Sequence, residues 1–562
     1  MFKGYKYLIL ILIAAGFFVY TFNLNNPLFW DDSDWIKENV FVHDFSHLKE
    51  IFTQNILSGF GLNSNYYRPL LLLSFAFNYV IHGIKPFGYH LLSNSFHVAN
   101  GVLIFLLLAP VFRRRLPAFL AALLFLIHPL QTEAVTYVSG RGDPMSVFFI
   151  LLALWLFLKS EFVMSDVTNW KNWRRWLSLG LLVLAILSRE TAILFPALLI
   201  IFFTAFLSGD RFWKSIGKSL LKSLPYWGIA VVYGILRLTV LNFKNTLNFF
   251  SETNIYTQHL SYRLYTFGHA LFEYFKLIFV PVGLHMERDI PLKTSFFQWP
   301  VPLAILIIAL IILVLFIFYR GESQFPRREI PNPKSQISNK SQIQNSNDQN
   351  ISNFEFRISN FRLWFFGWGW FFVAMLPVSG IVPINAIMYE HWLYLPLVGL
   401  FALAGFYLDK LLTLLRSKKA VFYYLLIAVL AAYLSFFAVT SIRRNIIWGS
   451  PIGFYEDILE YSPYSVRILN NLGNLYSEKG DIDNAARSYT RAIESPNGNV
   501  FAQPHYNLGN IYRDRGDIGK AIEEYKNAIK ADSKFPFAYQ NLAVIYASRG
   551  ELSEAARMLE KV

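Results

Sequence analysis

Residues 7–23 read YLILILIAAGFFVYTFN, an apolar run that contains no charged side chain. Similar runs recur along the 562 residues, and each is long enough, or nearly so, to cross a bilayer as a helix. Hydrophobic residues make up 54% of the chain and charged residues only 16%, which excludes an ordinary soluble globule. We therefore predict an all-α, polytopic membrane protein with about 11 to 13 hydrophobic helices.

The charges that remain indicate how the chain crosses the membrane. The chain has no cysteine, which excludes a disulfide framework and a thiolate metal site. The net charge of +14 lies in loops between apolar runs, a pattern that indicates cytoplasmic loops rather than nucleic-acid binding. The basic groups are Lys3 with Lys6, Arg113–Arg115, Lys171 with Arg174 and Arg175, Arg211 to Lys222, Arg320 with Arg327 and Arg328, and Lys410 to Lys419.

With those loops in the cytoplasm, the N-terminus is cytoplasmic, and the first apolar run is a retained anchor because it lacks a clear small-residue cleavage site. The stretches that parity places outside are 24–89, 129–145, 188–190, 244–298, 378–391 and everything after about 441. The long run 176–207 is interrupted at Ser188-Arg189-Glu190 and predicts two short helices that meet at the outer face. Segments 67–83 and 260–283 could cross the membrane, re-enter it or lie in its interface.

Residues 321–362 differ from the rest of the chain. They contain near-repeats rich in Ser, Asn and Gln, such as Lys334–Asn339 followed by Lys340–Asn345. Such a composition buries little apolar surface, so we predict a disordered insertion in a cytoplasmic loop. The membrane domain as a whole is predicted to span residues 1–445.

The end of the chain carries an internal repeat. Asn471-Leu472-Gly473 recurs as Asn507-Leu508-Gly509 and as Asn541-Leu542-Ala543, each followed by a tyrosine and spaced alanines. The spacing of 34 to 36 residues is typical of tetratricopeptide repeats, which stack as an α-solenoid. We predict a connecting half-repeat at 446–465 and three repeats at 466–562. Their concave face commonly binds an extended peptide, and the topology places them on the outer side.

Acidic and basic side chains also gather on that side. The first anchor is followed by Trp30-Asp31-Asp32-Ser33-Asp34, and carboxylates beside a membrane span are costly and usually functional. Residues from four further segments join them by the topology argument: Tyr67-Arg68-Pro69, Thr132-Glu133 with Arg141 and Asp143, Arg189-Glu190, and Tyr389-Glu390-His391. The pair Arg189–Glu190 fits a structural ion pair as well as a site. His90, His97 and His128 are interpreted as helix-packing residues.

The chain resembles the TMTC family, the transmembrane O-mannosyltransferases with tetratricopeptide repeats, and their bacterial relatives. The resemblance is collinear and covers almost the whole chain except 321–362. It is carried by Asp31-Asp32-Ser33 with Ile36 and Asn39, Tyr67-Arg68-Pro69-Leu70, Tyr89-His90, His128-Pro129, Thr132-Glu133-Ala134-Val135, Gly140-Arg141, Asp143, Glu190, Tyr389-Glu390, Leu393-Tyr394-Leu395-Pro396, and Arg444 with Trp448. Arg189 stands where the family usually has lysine, which keeps the cation, and the repeat array is shorter than in many members.

The resemblance implies a GT-C membrane fold and an inverting glycosyltransferase. It would move mannose or another hexose from a polyprenyl-phosphate donor to a Ser or Thr hydroxyl of a polypeptide. Asp31 or Asp32 would be the base, Asp34 being the least supported of the three, and Glu133 would orient the acceptor or the base. The other implied roles are donor-phosphate binding by Arg68, Arg141, Arg189 and His391, support by Asp143, Glu190, Tyr389 and Glu390, and acceptor binding by Asn471, Asn507 and Asn541.

No cofactor is expected. Clustered aspartates are suitable ligands for a divalent metal, but the resemblance implies a metal-free enzyme, so we predict that no divalent metal is needed. The expected location is the plasma membrane, with the repeats outside the cytoplasm, or the endoplasmic reticulum in a eukaryote. Two other classes fit part of the sequence. A membrane-anchored repeat scaffold would use the repeats alone, and a lipid-sugar transporter would need ionisable residues near mid-bilayer and an internal repeat of spans.

Overall fold

The computed structural model describes residues 5–163, 173–208, 210–243, 255–323, 359–384, 386–418, 420–496 and 498–562. Within these ranges the regular elements are helices and no strand occurs, which confirms the predicted all-α class. The chain divides into two compact units. The first unit comprises residues 1–284 and 290–445, and the second comprises residues 285–289 and 446–562.

Thirteen helices of at least 12 residues belong to the first unit within the described ranges. Their bounds are α1 Lys6–Tyr20, α2 Pro69–His82, α3 Pro86–Phe112, α4 Arg115–Ile127, α5 Gly142–Val163, α6 Trp173–Ser188, α7 Phe195–Phe206, α8 Phe212–Leu238, α9 Leu260–Phe279, α10 Val301–Ser323, α11 Asn360–Met375, α12 Leu397–Lys418 and α13 Ala420–Ile447. Shorter helices occupy Leu48–Thr53, Thr132–Thr136 and Ile255–Gln258.

Eight of the described helices are long and apolar enough to cross a membrane, namely α1, α3, α5, α8, α10, α11, α12 and α13. A ninth span results if α4 and the stretch Pro129–Thr136 are counted together across a 55° bend. Of the two ambiguous segments, α2 has only 14 residues, or about 21 Å, which is short for a hydrocarbon layer of about 30 Å. The other, α9, contains Arg263, Glu273 and Lys276 and does not meet the same criterion.

The predicted break near residue 189 is present. Helix α6 ends at Ser188, Arg189 has an extended backbone, and a 3₁₀ turn from Glu190 to Leu194 leads into α7. Pro196 lies in the first turn of α7, where its missing N–H costs no hydrogen bond. The sharp turn places two charged side chains between helices that are otherwise apolar.

Small residues allow the helices of the first unit to pack closely. A Cβ atom on Gly405 of α12 would collide with the carbonyl oxygen of Pro117 in α4. Gly367 of α11 and Gly399 of α12 approach each other in the same way. Close backbone approach is the usual basis of helix association in membranes, where burial of apolar surface between helices gains little.

The predicted insertion at 321–362 is narrower than expected at both ends. Residues 321–323 are the last residues of α10, and residues 360–362 are the first residues of α11, whose N-terminus is capped by the Ser359 hydroxyl. The rest of the predicted insertion, from 324 to 358, lies outside the described residues.

The second unit consists of paired helices. They are α14 Pro451–Tyr461, α15 Val466–Glu478, α16 Ile482–Glu494, α17 Ala502–Asp514, α18 Ile518–Ala531, α19 Pro536–Ser548 and α20 Leu552–Leu559. A Cβ on Gly473 would lie 2.5 Å from the Tyr489 ring, and one on Gly509 would lie 2.8 Å from the Tyr525 ring. The repeated glycine and tyrosine are therefore needed for helix pairing within each repeat.

The short segment 285–289 joins the second unit, a feature that the sequence did not reveal. The Glu287 carboxylate accepts hydrogen bonds from the Ser465 hydroxyl at 2.7 Å and from Arg467 Nη2 at 2.8 Å. The His285 ring stacks on Tyr461, with the ring centroids 4.4 Å apart. These contacts attach the segment to α14 and to the first turn of α15.

Candidate functional site

A buried polar network fixes the chain before the acidic stretch. Asn23, just after α1, donates to Asn94 Oδ1 and to Thr136 Oγ1 at 3.1 Å each. Asn26 donates to the carbonyl oxygen of Asn445 at 2.8 Å. Buried amides are stable only when they are hydrogen-bonded, so these contacts hold α1, α3, the Thr132–Thr136 helix and α13 in register.

The three histidines interpreted as packing residues have that role. His90, His97 and His128 are buried, and one ring nitrogen of each lies 3.0 Å from a backbone carbonyl oxygen. A carbonyl can only accept, so these nitrogens donate. No group of three or more His, Cys, Asp or Glu side chains in the described part of the chain is arranged to hold a metal ion.

Asp32 and Asp31 occupy different environments. Asp32 is 3% exposed, and its Oδ1 accepts from the backbone N–H of Ser139 at 2.8 Å and from the Ser139 hydroxyl at 2.5 Å. Burial raises the pKa of Asp32 to about 7, although the Ser139 hydrogen bonds oppose the shift. Asp31 is half-buried. The pKa of Asp34 is also raised, first by partial burial and then by the neighbouring Asp31 charge.

A second set of charged side chains comes from five segments of the first unit, and we call it the charged cluster. Its members are Arg68, Glu133, Asp143, Arg189, Glu190 and His391. Ser139, which holds Asp32, is only four residues from Asp143, so their Cα atoms are at most about 15 Å apart. The acidic stretch and the charged cluster are therefore neighbours.

The ion pairs of the charged cluster differ from the pairing considered from the sequence. Arg189 pairs with Asp143 at the start of α5, and Glu190 pairs with Arg68, whose Nε lies 2.9 Å from Glu190 Oε2. The backbone N–H of Tyr67 also donates to Glu190, at 3.2 Å. Adjacent residues at the α6–α7 break thus bind two other segments instead of each other.

Arg68 and Arg189 each have N–H groups that are not used in these ion pairs. The terminal nitrogens of Arg68 and the Nη2 of Arg189 have no hydrogen-bond partner among the described residues and are not among the enclosed polar atoms, whereas the Arg189 Nε is enclosed without a partner. Both side chains are only 10% exposed. Terminal guanidinium N–H groups that are accessible and unpaired can bind an anion, so this arrangement is compatible with an anion site.

Glu133 and His391 form the third pair of the charged cluster. The His391 Nδ1 lies 2.5 Å from Glu133 Oε1, and Glu133 Oε2 accepts from the backbone N–H groups of Glu390 at 2.9 Å and His391 at 3.3 Å. The Tyr389 ring stacks on the imidazole at 5.2 Å. Glu133 is 2% exposed, so its contacts favour a role in orienting His391.

Arg141 does not join the charged cluster, contrary to its predicted role in phosphate binding. It is fully buried, and it donates to the Ser93 hydroxyl at 3.1 Å, the Ser74 hydroxyl at 2.9 Å and the Tyr89 carbonyl at 2.9 Å. Its guanidinium also lies 4.9 Å from the centre of the Phe75 ring. Arg141 therefore ties α2 and α3 to the turn that carries Ser139.

The asparagines predicted to bind the acceptor are partly used within the repeats. Asn507 donates to Asn470 and Asn474 at 3.0 Å each, and Asn541 donates to Asn510 at 2.8 Å. The side-chain nitrogens of Asn507 and Asn541 therefore connect consecutive repeats and are not free for a peptide, which corrects that part of the prediction.

Two features leave room for a peptide. Asn471 has no hydrogen-bond partner among the described residues. Asn507 also lines a groove of about 300 Å³ with Tyr489, Asn510 and Asp514.

Ser139 is the partner of Asp32 that the sequence did not reveal. It lies between Glu133 and Arg141, and because serine carries no charge, no pattern in the sequence distinguishes it. Two facts identify it in three dimensions, namely that it supplies both a backbone N–H and a hydroxyl, and that both bind the carboxylate that is most buried among Asp31, Asp32 and Asp34.

The second unit matches two models of tetratricopeptide repeats. A model described as tetratricopeptide repeat matches residues 466–499, and one described as TPR repeat matches residues 509–550. The class of the repeats is therefore confirmed.

The relatives of the chain are protein O-mannosyl-transferases. It is 39% identical over 136 residues to the Mus musculus protein O-mannosyl-transferase TMTC3, which covers 24% of this chain and 15% of the relative. It is 24% identical over 536 residues to tmtc2 of Xenopus laevis and 22% identical over 498 residues to F38B6.6 of Caenorhabditis elegans. Each of these two matches covers 86% of this chain and 62% of the relative. The resemblance to the TMTC family is confirmed, and the chain spans less than two thirds of each relative's length.

Proposed function

We propose that this chain is an integral-membrane glycosyltransferase. It moves a hexose, mannose by analogy with its relatives, from a polyprenyl-phosphate donor to a Ser or Thr hydroxyl of a polypeptide. The observation that carries the proposal is the set of terminal N–H groups of Arg68 and Arg189 that have no partner among the described residues, beside the buried Asp32. An anion site and a carboxylate of raised pKa are what this reaction requires.

The charged cluster suits the phosphate of a lipid-linked donor. Arginine binds phosphate through two N–H groups at once, and Arg68 has both terminal nitrogens available. The site lies among loops that connect apolar helices, so a polyprenyl chain could lie in the bilayer while its phosphate contacts the arginines. As the sugar transfers, negative charge grows on the departing phosphate, and fixed donors stabilise it without reorganisation.

Asp32 is the better candidate for the base. A carboxylate with a pKa of about 7 is half ionised at neutral pH and accepts a proton more readily than an ordinary aspartate. Ser139 fixes one carboxylate oxygen, which leaves the other to accept the proton of the acceptor hydroxyl. Attack from the side opposite the phosphate inverts the anomeric centre. Asp31, which is half-buried, helps to bind the acceptor.

The repeats supply a holder for the polypeptide. The groove lined by Tyr489, Asn507 and Asp514 offers carbonyl, hydroxyl and carboxylate groups to an extended backbone. The protein resides in the plasma membrane or, in a eukaryote, in the endoplasmic reticulum. Its N-terminus is cytoplasmic, and its repeats lie on the other side.

The test uses the full chain in lipid nanodiscs, a short-chain mannosyl-phosphoryl-polyprenol and a peptide rich in Ser and Thr. Mass spectrometry should detect a hexose on the peptide. The Arg68→Gln variant should raise the donor KM by about 10- to 100-fold, because a charge-assisted contact is lost.

A matched control is Arg114→Gln. Arg114 also forms an ion pair, 2.6 Å from Asp409, but it is 53% exposed and remote in sequence from the charged cluster. This variant should keep the donor KM of the wild-type protein. If the wild-type protein binds the peptide but transfers no hexose from any lipid-phosphate donor, the protein is a membrane-anchored repeat scaffold instead.

Metal dependence has a separate test. We expect transfer to continue in a chelator, as the resemblance implies. Activity that is lost in the chelator and restored by Mn²⁺ would contradict this part of the proposal.

A further inference from the structure

The pair formed by Glu133 and His391 has a geometry that the binding of a phosphate alone does not require. Glu133 is held on three sides, by the imidazole and by two backbone N–H groups. An ionised carboxylate only accepts hydrogen bonds, so the His391 Nδ1 carries a proton toward it. This contact fixes the imidazole and leaves Nε2 as its working atom.

The Nε2 atom is available to a substrate. It has no hydrogen-bond partner among the described residues, and it is not among the buried polar atoms that lack one. The side chain of His391 is 14% exposed. The stacked Tyr389 ring covers one face of the imidazole, so approach along the ring plane toward Nε2 remains.

The charge balance of the cluster indicates what Nε2 does. Each arginine is already neutralised by its own carboxylate, Arg68 by Glu190 and Arg189 by Asp143. With Glu133 also counted, the cluster holds two cations and three carboxylates, so while His391 is neutral it has no net positive charge to offset the second negative charge of a departing phosphate. Within it, the histidine is the group that can add a positive charge near neutral pH.

We propose that His391 donates a proton from Nε2 to the departing lipid phosphate, and that Glu133 is the positioning residue that orients the imidazole and stabilises its charged form. This inference rests on the proposed function. The phosphate thus leaves as a monoanion instead of a dianion.

The step balances as follows. The bond between the anomeric carbon and the phosphate oxygen breaks, and its electron pair stays on that oxygen, which takes the proton of Nε2. The acceptor oxygen bonds to the anomeric carbon and loses its proton to the Asp32 carboxylate. Asp32 then releases that proton to solvent, and His391 takes up another when the next donor binds.

The groups around the imidazole explain why His391 becomes protonated only when the sugar-phosphate donor binds. The charged or titratable side chains that face it are Asp143 on α5, Arg189 at the α6–α7 break, Arg68 before α2, Glu133 after α4 and Glu390 beside it. Burial, together with the two arginines, lowers the pKa of His391 to about 3 in the absence of donor, against the opposing effect of Asp143. The negative charge of a bound phosphate raises the pKa of His391 again and so favours the imidazolium.

The experiment compares two donors in the nanodisc assay. One is the ordinary mannosyl-phosphoryl-polyprenol. The other carries fluorine on the polyprenyl chain close to the phosphate, so that the departing lipid phosphate is a weaker base. His391→Gln should lower kcat about 10²- to 10³-fold with the ordinary donor and less than about 10-fold with the fluorinated donor. Glu133→Gln should show the same preference with a smaller loss.

The pH profile gives a second readout. The fall of kcat at high pH in the wild-type protein should disappear in His391→Gln. The repeats offer a matched control, because His505 and Glu524 form a similar pair at 2.6 Å. His505→Gln should keep both the wild-type pH profile and the wild-type ratio of the two donors.

Two results would overturn the inference. One is an equal loss with both donors in His391→Gln, as expected from a merely structural defect. The other is a wild-type rate in that variant. If the wild-type protein itself transfers no hexose from either donor, the proposed function fails first, so the two failures are distinguishable.

Discussion

The charged cluster of the first unit and a set of hydrogen-bonded asparagines in the repeats both consist of polar side chains from several helices. We call the second set the asparagine ladder; its members are Asn470, Asn474, Asn507, Asn510 and Asn541. In the ladder, the amide nitrogens of Asn507 and Asn541 are both used: Asn507 donates to Asn470 and Asn474, and Asn541 donates to Asn510. In the cluster, the terminal nitrogens of Arg68 are unused among the described residues. The ladder satisfies itself and therefore holds a structure together, whereas the cluster leaves donors open for a ligand.

The difference also concerns charge. The ladder is neutral, so removing one of its members costs little more than one hydrogen bond. The cluster pairs charges away from water, where loss of one partner leaves the other uncompensated. Substitutions in the two regions should therefore differ both in size and in the property they change.

The largest effect should come from Asp32→Asn. The amide can still accept from Ser139 but cannot take a proton, so the rate of hexose transfer should fall about 10²- to 10⁴-fold. Asp31→Asn should cost less and raise the acceptor KM instead. Nanodisc kinetics with both variants would check this, and equal activity of Asp32→Asn and the wild-type protein would contradict the assignment of the base.

A stability effect should follow from Asp143→Asn. The change leaves the guanidinium of Arg189, whose Nε is already unpaired, without its carboxylate. Breaking a buried pair in this way costs about 3–5 kcal/mol. Thermal unfolding in nanodiscs would measure the loss, and Asp409→Asn, which breaks the pair with the 53% exposed Arg114, serves as the control with a smaller expected loss.

These predictions depend on contacts that the sequence could reveal only in part. Apolar runs and positive loops predicted the helices, and repeat spacing predicted the second unit, because both patterns are local. The order of the predicted spans placed Arg68, Arg189 and Glu190 on one side of the membrane. It could not show that Glu190 pairs with Arg68, and Arg189 with Asp143, instead of with each other. The choice depends on side-chain directions at the α6–α7 break.

Arg141 shows the same limit. Its neighbours in sequence are residues of the candidate site, yet its side chain donates to hydroxyl groups of α2 and α3. No local sequence pattern distinguishes a buried structural arginine from one that binds a ligand. Segment 285–289 joins the second unit across more than 150 residues of sequence, a contact that no local pattern carries either.

Asp32 should also make stability depend on pH. Its pKa is about 7 in the folded protein, against an ordinary value of 3.8, so the folded state binds the proton more tightly than the unfolded state. Stability from this group is therefore complete below about pH 4 and is lost as the pH rises to about 7.

The Asp32→Asn variant does not titrate, so its unfolding temperature relative to the wild-type protein should rise between pH 4 and 7. The corresponding gain in the free energy of unfolding, relative to the wild-type protein, should stay below about 4 kcal/mol, which is the upper limit that the pKa difference of Asp32 allows. A constant difference across this pH range would show that Asp32 is ionised in the folded protein with an ordinary pKa.

The smallest effect should come from the ladder. Asn507→Ala removes the donor to Asn470 and Asn474, while Asn474 keeps its hydrogen bond from the Tyr489 hydroxyl at 2.8 Å. The expected cost is about 1 kcal/mol, seen as faster hydrogen exchange in α17 of the full chain. Asn471→Ala is the matched control, since Asn471 has no partner among the described residues; exchange should stay unchanged while the acceptor KM rises. If Asn471→Ala loosened the repeats as much as Asn507→Ala, the ladder would extend further than these contacts indicate, and its contrast with the charged cluster would narrow.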